Sequence, residues 1–444
     1  MLKEGFLWGG AVTAHQSEGG HTMYGKVRAV CDNICQPEFG DFKDGIDEIH
    51  RYEEDFALFE ECGFTCYRFS IDWSRVSPDG IHFNEEALEY YDRFIDALIA
   101  YGMEPMCSLY HFEMPQVLMD EYNGFYSRKV VDMFVNYAYK MIDRYGDRVK
   151  KWISFNEQNG IAFINDEKFL YGAKCPEGVD FQTFVNQLIH NTFVAHALVA
   201  KKVHTIKDAQ ILGMIIYAPV QAKTCDPRDV RAAMDHNAIT EQYLYMFTHG
   251  EYLPYIYQKM IKEDKLPEME AGDLQLLKEN TVDMLSLSYY FSHAYSAQEG
   301  ECKNPYLKES EWGWPIDPTG LYLGLRDIYD RYRLPIMVVE NGLGAKDILE
   351  NGTVYDDYRI DYMRAHIQAV KEAVSDGVDC RGYLMWGPID ILSSHGEMAK
   401  RYGIIYVNRE DHDLKDMKRY RKKSFTWYQK VIASNGEKRY YSQC

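Results

Sequence analysis

The sequence predicts an α/β protein of the (β/α)8, or TIM, barrel type: one domain over residues 1–444 with long loops after its strands. Three observations predict it. Amphipathic helical stretches alternate with short continuous apolar runs, the pattern of strands buried on both faces and joined by right-handed crossovers. The apolar runs number eight, the count that closes a barrel. No Gly-rich phosphate fingerprint follows an early strand, which argues against an open doubly wound sheet.

The first run is "GFLWGGAVTAHQSEG". A helix in "EEDFALFEECGF" then leads to "TCYRFSIDW", "YYDRFIDALIAYGM" to "EPMCSLYHFE", and "VNYAYKMIDRYGDR" to "VKKWISFNE". "HNTFVAHALVAKKVHTIKD" precedes "AQILGMIIYAP", and "MEAGDLQLLKEN" precedes "TVDMLSLSYYFS". "GLYLGLRDIYDRYR" and "DYMRAHIQAVKEAVSDGVD" introduce the last two runs, "LPIMVVENG" and "CRGYLMWGPID". Insertions around residues 24–45, 217–240 and 292–320 follow strands, where a barrel builds its cleft. No linker or composition break marks a second domain.

A formal net charge of −19 argues against a nucleic-acid footprint. The run "KDMKRYRKKSF" reads as the solvated face of a terminal helix, since apolar residues follow at helical spacing in "FTWYQKVI". The N-terminus lacks the apolar core of a signal peptide, and no stretch approaches 18 uninterrupted apolar residues. The ten Cys are scattered; Cys66 and Cys107 sit in apolar runs and read as reduced core thiols of a cytoplasmic protein. Cys62 and Cys66 lack the second pair that a zinc site needs. The 36 Tyr and 7 Trp favour a polar-aromatic ligand site.

Chemistry in a barrel sits at the C-terminal strand ends. Those ends carry Gln16, Glu18, Arg68, His111, Asn156, Glu157, Tyr290, Glu340 and Trp386. A strand end facing water explains any one of them, but does not require carboxylates, amide, imidazole and indole together. Glu157 ends the fourth strand and Glu340 the seventh, across the mouth. Two carboxylates about 5–5.5 Å apart suit a retaining glycosidase.

On these residues the chain resembles glycoside hydrolase family 1 over essentially its whole length. "FLWGGAVTAHQSEG", "CYRFSIDWSRVSP", "YHFEMP", "FNEQN" and "VVENG" carry the resemblance. It implies Glu340 as nucleophile and Glu157 as acid/base. It implies Asn156 on the sugar 2-hydroxyl, Gln16 and His111 on ring hydroxyls, and Trp386 as a flat floor. Tyr290 would orient the nucleophile. Arg68 would lie beneath the carboxylates, or form an ion pair that only fixes the loops. Two positions depart from the common pattern. Gln158 stands where many members have Pro, altering the local turn. Ser288 stands where many have Asn, so a hydrogen bond near the site is lost or replaced.

After Trp386, Ser393 and Ser394 occupy the places where plain β-glucosidases of the family carry Glu and Trp. With Lys400 and Tyr402 they offer donors and one positive charge, which suit a phosphate dianion. The arrangement resembles the phosphate loop of members acting on 6-phospho-β-glycosides. Either serine fits, Ser394 better, and its place tips the reading to gluco over galacto. Trp312 and Trp314 line the leaving-group side or merely pack their loop. The expected protein is therefore a 6-phospho-β-glucosidase. The rivals are a 6-phospho-β-galactosidase, an unphosphorylated β-glucosidase and, in another class, a non-catalytic sugar-phosphate-binding barrel. No metal or organic cofactor is implied. The expected partner is a small phosphorylated β-glycoside, with neither nucleic acid nor membrane; homo-oligomer formation is left open.

Overall fold

The computed structural model describes residues 2–36 and 38–437. Eight parallel strands close a barrel: β1 (Leu7–Ala11), β2 (Cys66–Ser70), β3 (Glu104–Ser108), β4 (Lys151–Ile153), β5 (Gln210–Ile216), β6 (Met284–Ser288), β7 (Ile336–Glu340) and β8 (Cys380–Trp386). Each strand pairs with its neighbours in chain order, and β1 closes on β8 with Ala11 opposite Trp386. All eight predicted runs are these strands.

The continuous apolar character of the runs follows from burial on both faces. Cys66, Met106, Ile153, Leu212, Met214, Met284, Met337, Val339 and Leu384 fill the barrel interior. The alternate positions, such as Tyr67, Cys107, Trp152 and Val338, join the larger core under the helices. Cys62 and Cys66 thus belong to different layers. The helices end where the sequence dictates: Asn84 caps Glu85–Ala100 by accepting from Glu86 and Ala87, and Gly63 at φ 89° stops Glu48–Cys62.

Two expectations differ from the structure. The 217–240 insertion is no plain loop. A short strand, Val220–Ala222, pairs beside a hairpin of His293–Ser296 and Gly300–Cys302, and Pro227–His249 is a long helix opened by Asp226 and Pro227. The basic C-terminal run is not the solvated face of a helix. Its middle is the strand Arg419–Arg421, paired with Ile405–Val407, and the helix starts only at Lys423.

Arg419 and Lys422 are buried and neutralised there. Arg419 grips Asp55 through Nε and Nη2 at 2.7 and 2.8 Å. Lys422 Nζ bonds Asp390 at 2.6 Å and also meets Asp347. Arg401 joins Asp390 at 2.9 Å, and Arg359 joins Asp347 at 3.1 Å. Arg359 also donates to the carbonyls of Arg401 and Tyr402. This network lies under the chain that carries Lys400 and Tyr402. Breaking one member of a buried ion pair leaves uncompensated charge, at a cost of about 3–5 kcal/mol. Lys422→Met is expected to lose stability near the lower end, about 3 kcal/mol, because Arg359 and Arg401 still face the two aspartates. Urea unfolding measures this, and an unchanged midpoint would refute the structural role given to the network.

Candidate active site

The mouth of the barrel is built on Arg68. It points from the middle of β2 and is fully buried. Its Nε donates to Ser108 Oγ on β3 at 2.9 Å, Nη2 to Asn156 Oδ1 after β4 at 2.6 Å, and Nη1 to Glu340 Oε1 at the end of β7 at 2.5 Å. Tyr290 Oη donates to the other oxygen of Glu340 at 2.8 Å. Strand register sets Glu340 beside Ser288, and Ser288 Oγ donates to Glu157 Oε1. The departure at Ser288 therefore replaces the missing amide with a hydroxyl on the second carboxylate.

Glu157 adopts φ 42°, a left-handed conformation that costs a residue with a Cβ on the order of 1 kcal/mol. The 3₁₀ turn Gln158–Ala162 follows it, and Gln158 Nε2 reaches Thr192 Oγ1 at 3.3 Å. The strained turn swings the Glu157 carboxyl toward Ser288 and into the field of Glu340.

Burial pushes both carboxyls up. On Glu340 the Arg68 charge and the donated hydrogen bonds oppose that rise. On Glu157 the negative Glu340 adds to it, and the carboxyl is pushed up to about 7; Ser288, Lys168 and Arg68 pull the other way. Glu340 is thus the first to ionise, and its charge holds the proton on Glu157.

Around this pair, His111 lies three residues beyond β3 with its ring 5.7 Å from that of Trp386. Gln16 Nε2 donates to the carbonyl of Leu392 at 2.6 Å, which ties the first loop to the last. His15 and Glu113, absent from the sequence-based candidates, form a buried brace. Glu113 accepts from Thr13 at 2.5 Å, Ser70 at 2.8 Å and the His111 amide at 3.0 Å, and meets His15 at 3.1 Å. "YHFEMP" contains the signal, a carboxylate two residues after a rim histidine. Glu18 is not at the rim chemistry: it is buried against Arg75 at 3.2 Å and accepts from Tyr91 at 2.6 Å.

On the last loop, Arg401 points down into the buried ion network while Lys400 and Tyr402 point the other way. Lys400 Nζ sits 3.8 Å above the Trp314 ring and 5.5 Å from Trp312. Trp314 packs in turn on Tyr290 at 5.4 Å, and Trp312 Nε1 donates to Glu397 at 3.2 Å. The two tryptophans thus form a cage for Lys400. Gly344 underlies it: a Cβ there would stand 2.9 Å from Lys400 Cγ and Cε. Burial pulls the Lys400 ammonium down to about 8. Tyr402 is buried with its ring 6.5 Å from Tyr290. Ser393 is buried, and its Oγ accepts from the amides of Glu397 at 3.1 Å and His395 at 3.4 Å. Ser394 is less buried, with its Oγ 3.2 Å from His395 Nδ1.

A parallel barrel whose rim holds two buried carboxyls driven to different proton affinities is the architecture of a glycosidase. Comparison with known proteins gives the same class. The model of glycosyl hydrolase family 1 matches residues 1–437, and the chain belongs to that family. It is 42% identical to the aryl-phospho-beta-D-glucosidase BglH of Bacillus subtilis, covering 98% of each chain. It is also 42% identical to a 6-phospho-beta-glucosidase of Dickeya chrysanthemi, covering 97% of each. Among solved structures, a beta-glucosidase from Thermotoga maritima in complex with glucoimidazole matches with a TM-score of 0.88 at 29% identity, over 98% of this chain and 99% of that one.

The coupling of the two carboxyls has a direct test. Side-chain titration of Glu157 by isotope-edited infrared spectroscopy is expected to centre near pH 7. Glu340→Gln removes the neighbouring negative charge, so the midpoint moves down. An upward or absent movement would show that the two groups do not share a field.

Proposed function

We propose that the protein is a 6-phospho-β-glucosidase that cleaves phosphorylated β-disaccharides or aryl glucosides with net retention. The substrate half of this reading comes from the relatives, an aryl-phospho-beta-D-glucosidase and a 6-phospho-beta-glucosidase among them. The observation that carries it in this chain is Lys400. Its ammonium is held over tryptophan faces beside Tyr402, in a protein of net charge −19 that needs local positive charge to receive an anion.

In the first step a Glu340 oxygen bonds the anomeric carbon as the glycosidic C–O bond breaks, and the Glu157 proton passes to the leaving oxygen. The charge on Glu340 is then gone, and Glu157, now ionised, takes a proton from water. The water oxygen displaces Glu340 from the anomeric carbon. Both carboxyls return to their starting states, and glucose 6-phosphate leaves with its original anomeric configuration. Asn156 holds the 2-hydroxyl, Gln16 and His111 hold ring hydroxyls, and Trp386 gives the ring an apolar floor. Tyr290 and Arg68 keep Glu340 oriented and ionised. Lys400, Tyr402 and Ser394 receive the phosphate. Ser394 is favoured over Ser393 because it is the less buried of the two, while Ser393 Oγ is held inside the turn by the amides of His395 and Glu397. The whole chain serves as one catalytic domain, and a cytoplasmic site of action fits a substrate phosphorylated on entry. Among the described residues no helix is long and apolar enough to cross a membrane.

Initial rates on 4-nitrophenyl β-glucoside 6-phosphate, its galacto epimer and the plain β-glucoside test the reading. The gluco 6-phosphate is expected to lead. Equal turnover of the plain glucoside would remove the phosphate assignment, and a leading galacto epimer would remove the sugar. Lys400→Met is expected to lower kcat/KM on the 6-phosphate by about tenfold or more, the loss of a charged hydrogen bond, while sparing the plain glucoside. Glu340→Gln is expected to abolish turnover and leave binding largely intact, read by rate and by calorimetry with an unreacted ligand.

A further inference from the structure

The rim holds one more buried cation than the reaction scheme uses. Lys168 lies in the segment after the Gln158–Ala162 turn and is only 3% exposed. Among the described residues its ammonium has no hydrogen-bond or ion-pair partner; its close neighbours are ring faces, Phe112 at 4.5 Å and Phe169 at 5.2 Å. The charged and titratable groups whose fields reach it are Asp166, Cys31, Glu157 and Glu113. It bears in turn on His15, His111, His395, Cys35 and Glu340, the last already held by Arg68 and Tyr290.

The nearby carboxylates are occupied elsewhere. Asp166 accepts the Phe169 amide within its own turn at 2.8 Å. Glu113 is saturated by Thr13, Ser70, His15 and the His111 amide. Glu157 takes the Ser288 hydroxyl. Burying an ammonium with no counter-ion is costly, and aromatic faces offset only part of that cost. Its three N–H donors still lack acceptors. The Phe112 ring lies 5.6 Å from that of His111, and the Lys168 charge is felt by both His111 and His15, so the ammonium stands on the His111 side of the mouth.

We propose that Lys168 is a further substrate-binding residue, donating to a glycone hydroxyl on the His111 side and closing the pocket from the loop after β4. The inference rests on the glycosidase reading of the site but not on the phosphate assignment. The ligand supplies the acceptor that the protein withholds. Binding then turns an uncompensated charge into a charge-assisted hydrogen bond. The same ammonium stands near Glu157, so it also restrains the rise in that carboxyl's proton affinity.

The test uses Lys168→Met, which keeps an unbranched apolar chain of similar length and removes the charge held over Phe112. On 4-nitrophenyl β-glucoside 6-phosphate the variant is expected to lose about tenfold in kcat/KM, mainly through KM. The 2-deoxy, 3-deoxy and 4-deoxy analogues locate the acceptor: on one of them the loss shrinks to less than about twofold. The alkaline limb of the pH profile also moves up, because a positive charge near Glu157 is gone. An equal loss on every deoxy analogue, or no loss on the parent, overturns the proposal. The same series on unphosphorylated β-glucosides separates the two readings. If the wild type prefers those, the phosphate assignment fails while the Lys168 comparison still stands. Should Lys168→Met fail to fold, Lys168→Gln provides the same comparison.

Discussion

The site depends on a guanidinium buried where water cannot reach it. Arg68 spans β2, β3, the β4 end and β7 with three donors, and a buried cation of that kind demands a nearby anion. Glu340 is that anion. The pairing settles two matters together. It keeps Glu340 ionised despite burial, and it fixes the orientation of a carboxylate that a lone hydrogen bond would leave free to rotate. The proton on Glu157 then follows from the charge on Glu340. Functional ordering of the two carboxyls is thus a consequence of barrel closure, because only closure brings the second and seventh strands within reach of one side chain.

The eight strands were legible because burial on both faces leaves a plain mark, a continuous apolar run ending in polar residues. Glu340 was legible for the same reason: a carboxylate closing "IMVVE" contradicts its surroundings. The secondary sheet and the Pro227–His249 helix left weaker marks, since an amphipathic helix inside a polar insertion reads much like a loop. The basic run misled through composition. Arg419 and Lys422 find Asp55, Asp347 and Asp390 more than 30 positions away in the chain, and no local pattern announces a buried counter-ion at that distance. Lys168 was invisible for a related reason, because only the folded chain shows that it lacks one among the described residues.

The last loop shows how one short sequence serves two layers. In "AKRYG" the side chains alternate as in a strand. Arg401 goes down to Asp390, while Lys400 and Tyr402 go up to the site. Arg359 takes the carbonyls of both Arg401 and Tyr402, so the peptide planes are held from below. The aspartates beneath serve structural cations, and among the described residues Lys400 has no ion-pair partner. A carboxylate in contact with Lys400 would compete with an incoming phosphate; the tryptophan faces attract the ammonium without neutralising it.

That choice has an electrostatic consequence for the proposed reaction. Lys400 is pulled down to about 8 by burial, so near neutral pH it is mostly but not wholly charged. A phosphate dianion in contact with it favours the charged form, and linkage requires that a proton be drawn in whenever the ammonium was neutral. Glu157 requires a proton over the same interval and is pushed up to about 7. The two groups therefore lose competence in the same direction as pH rises, one for holding the substrate and the other for releasing the leaving group. Phosphate contact partly protects the first, whereas the proton on Glu157 rests on burial and on the charge of Glu340. Binding of the phosphorylated sugar should consequently outlast its cleavage on the alkaline side, a separation that a site built on an arginine in place of Lys400 would show more strongly still.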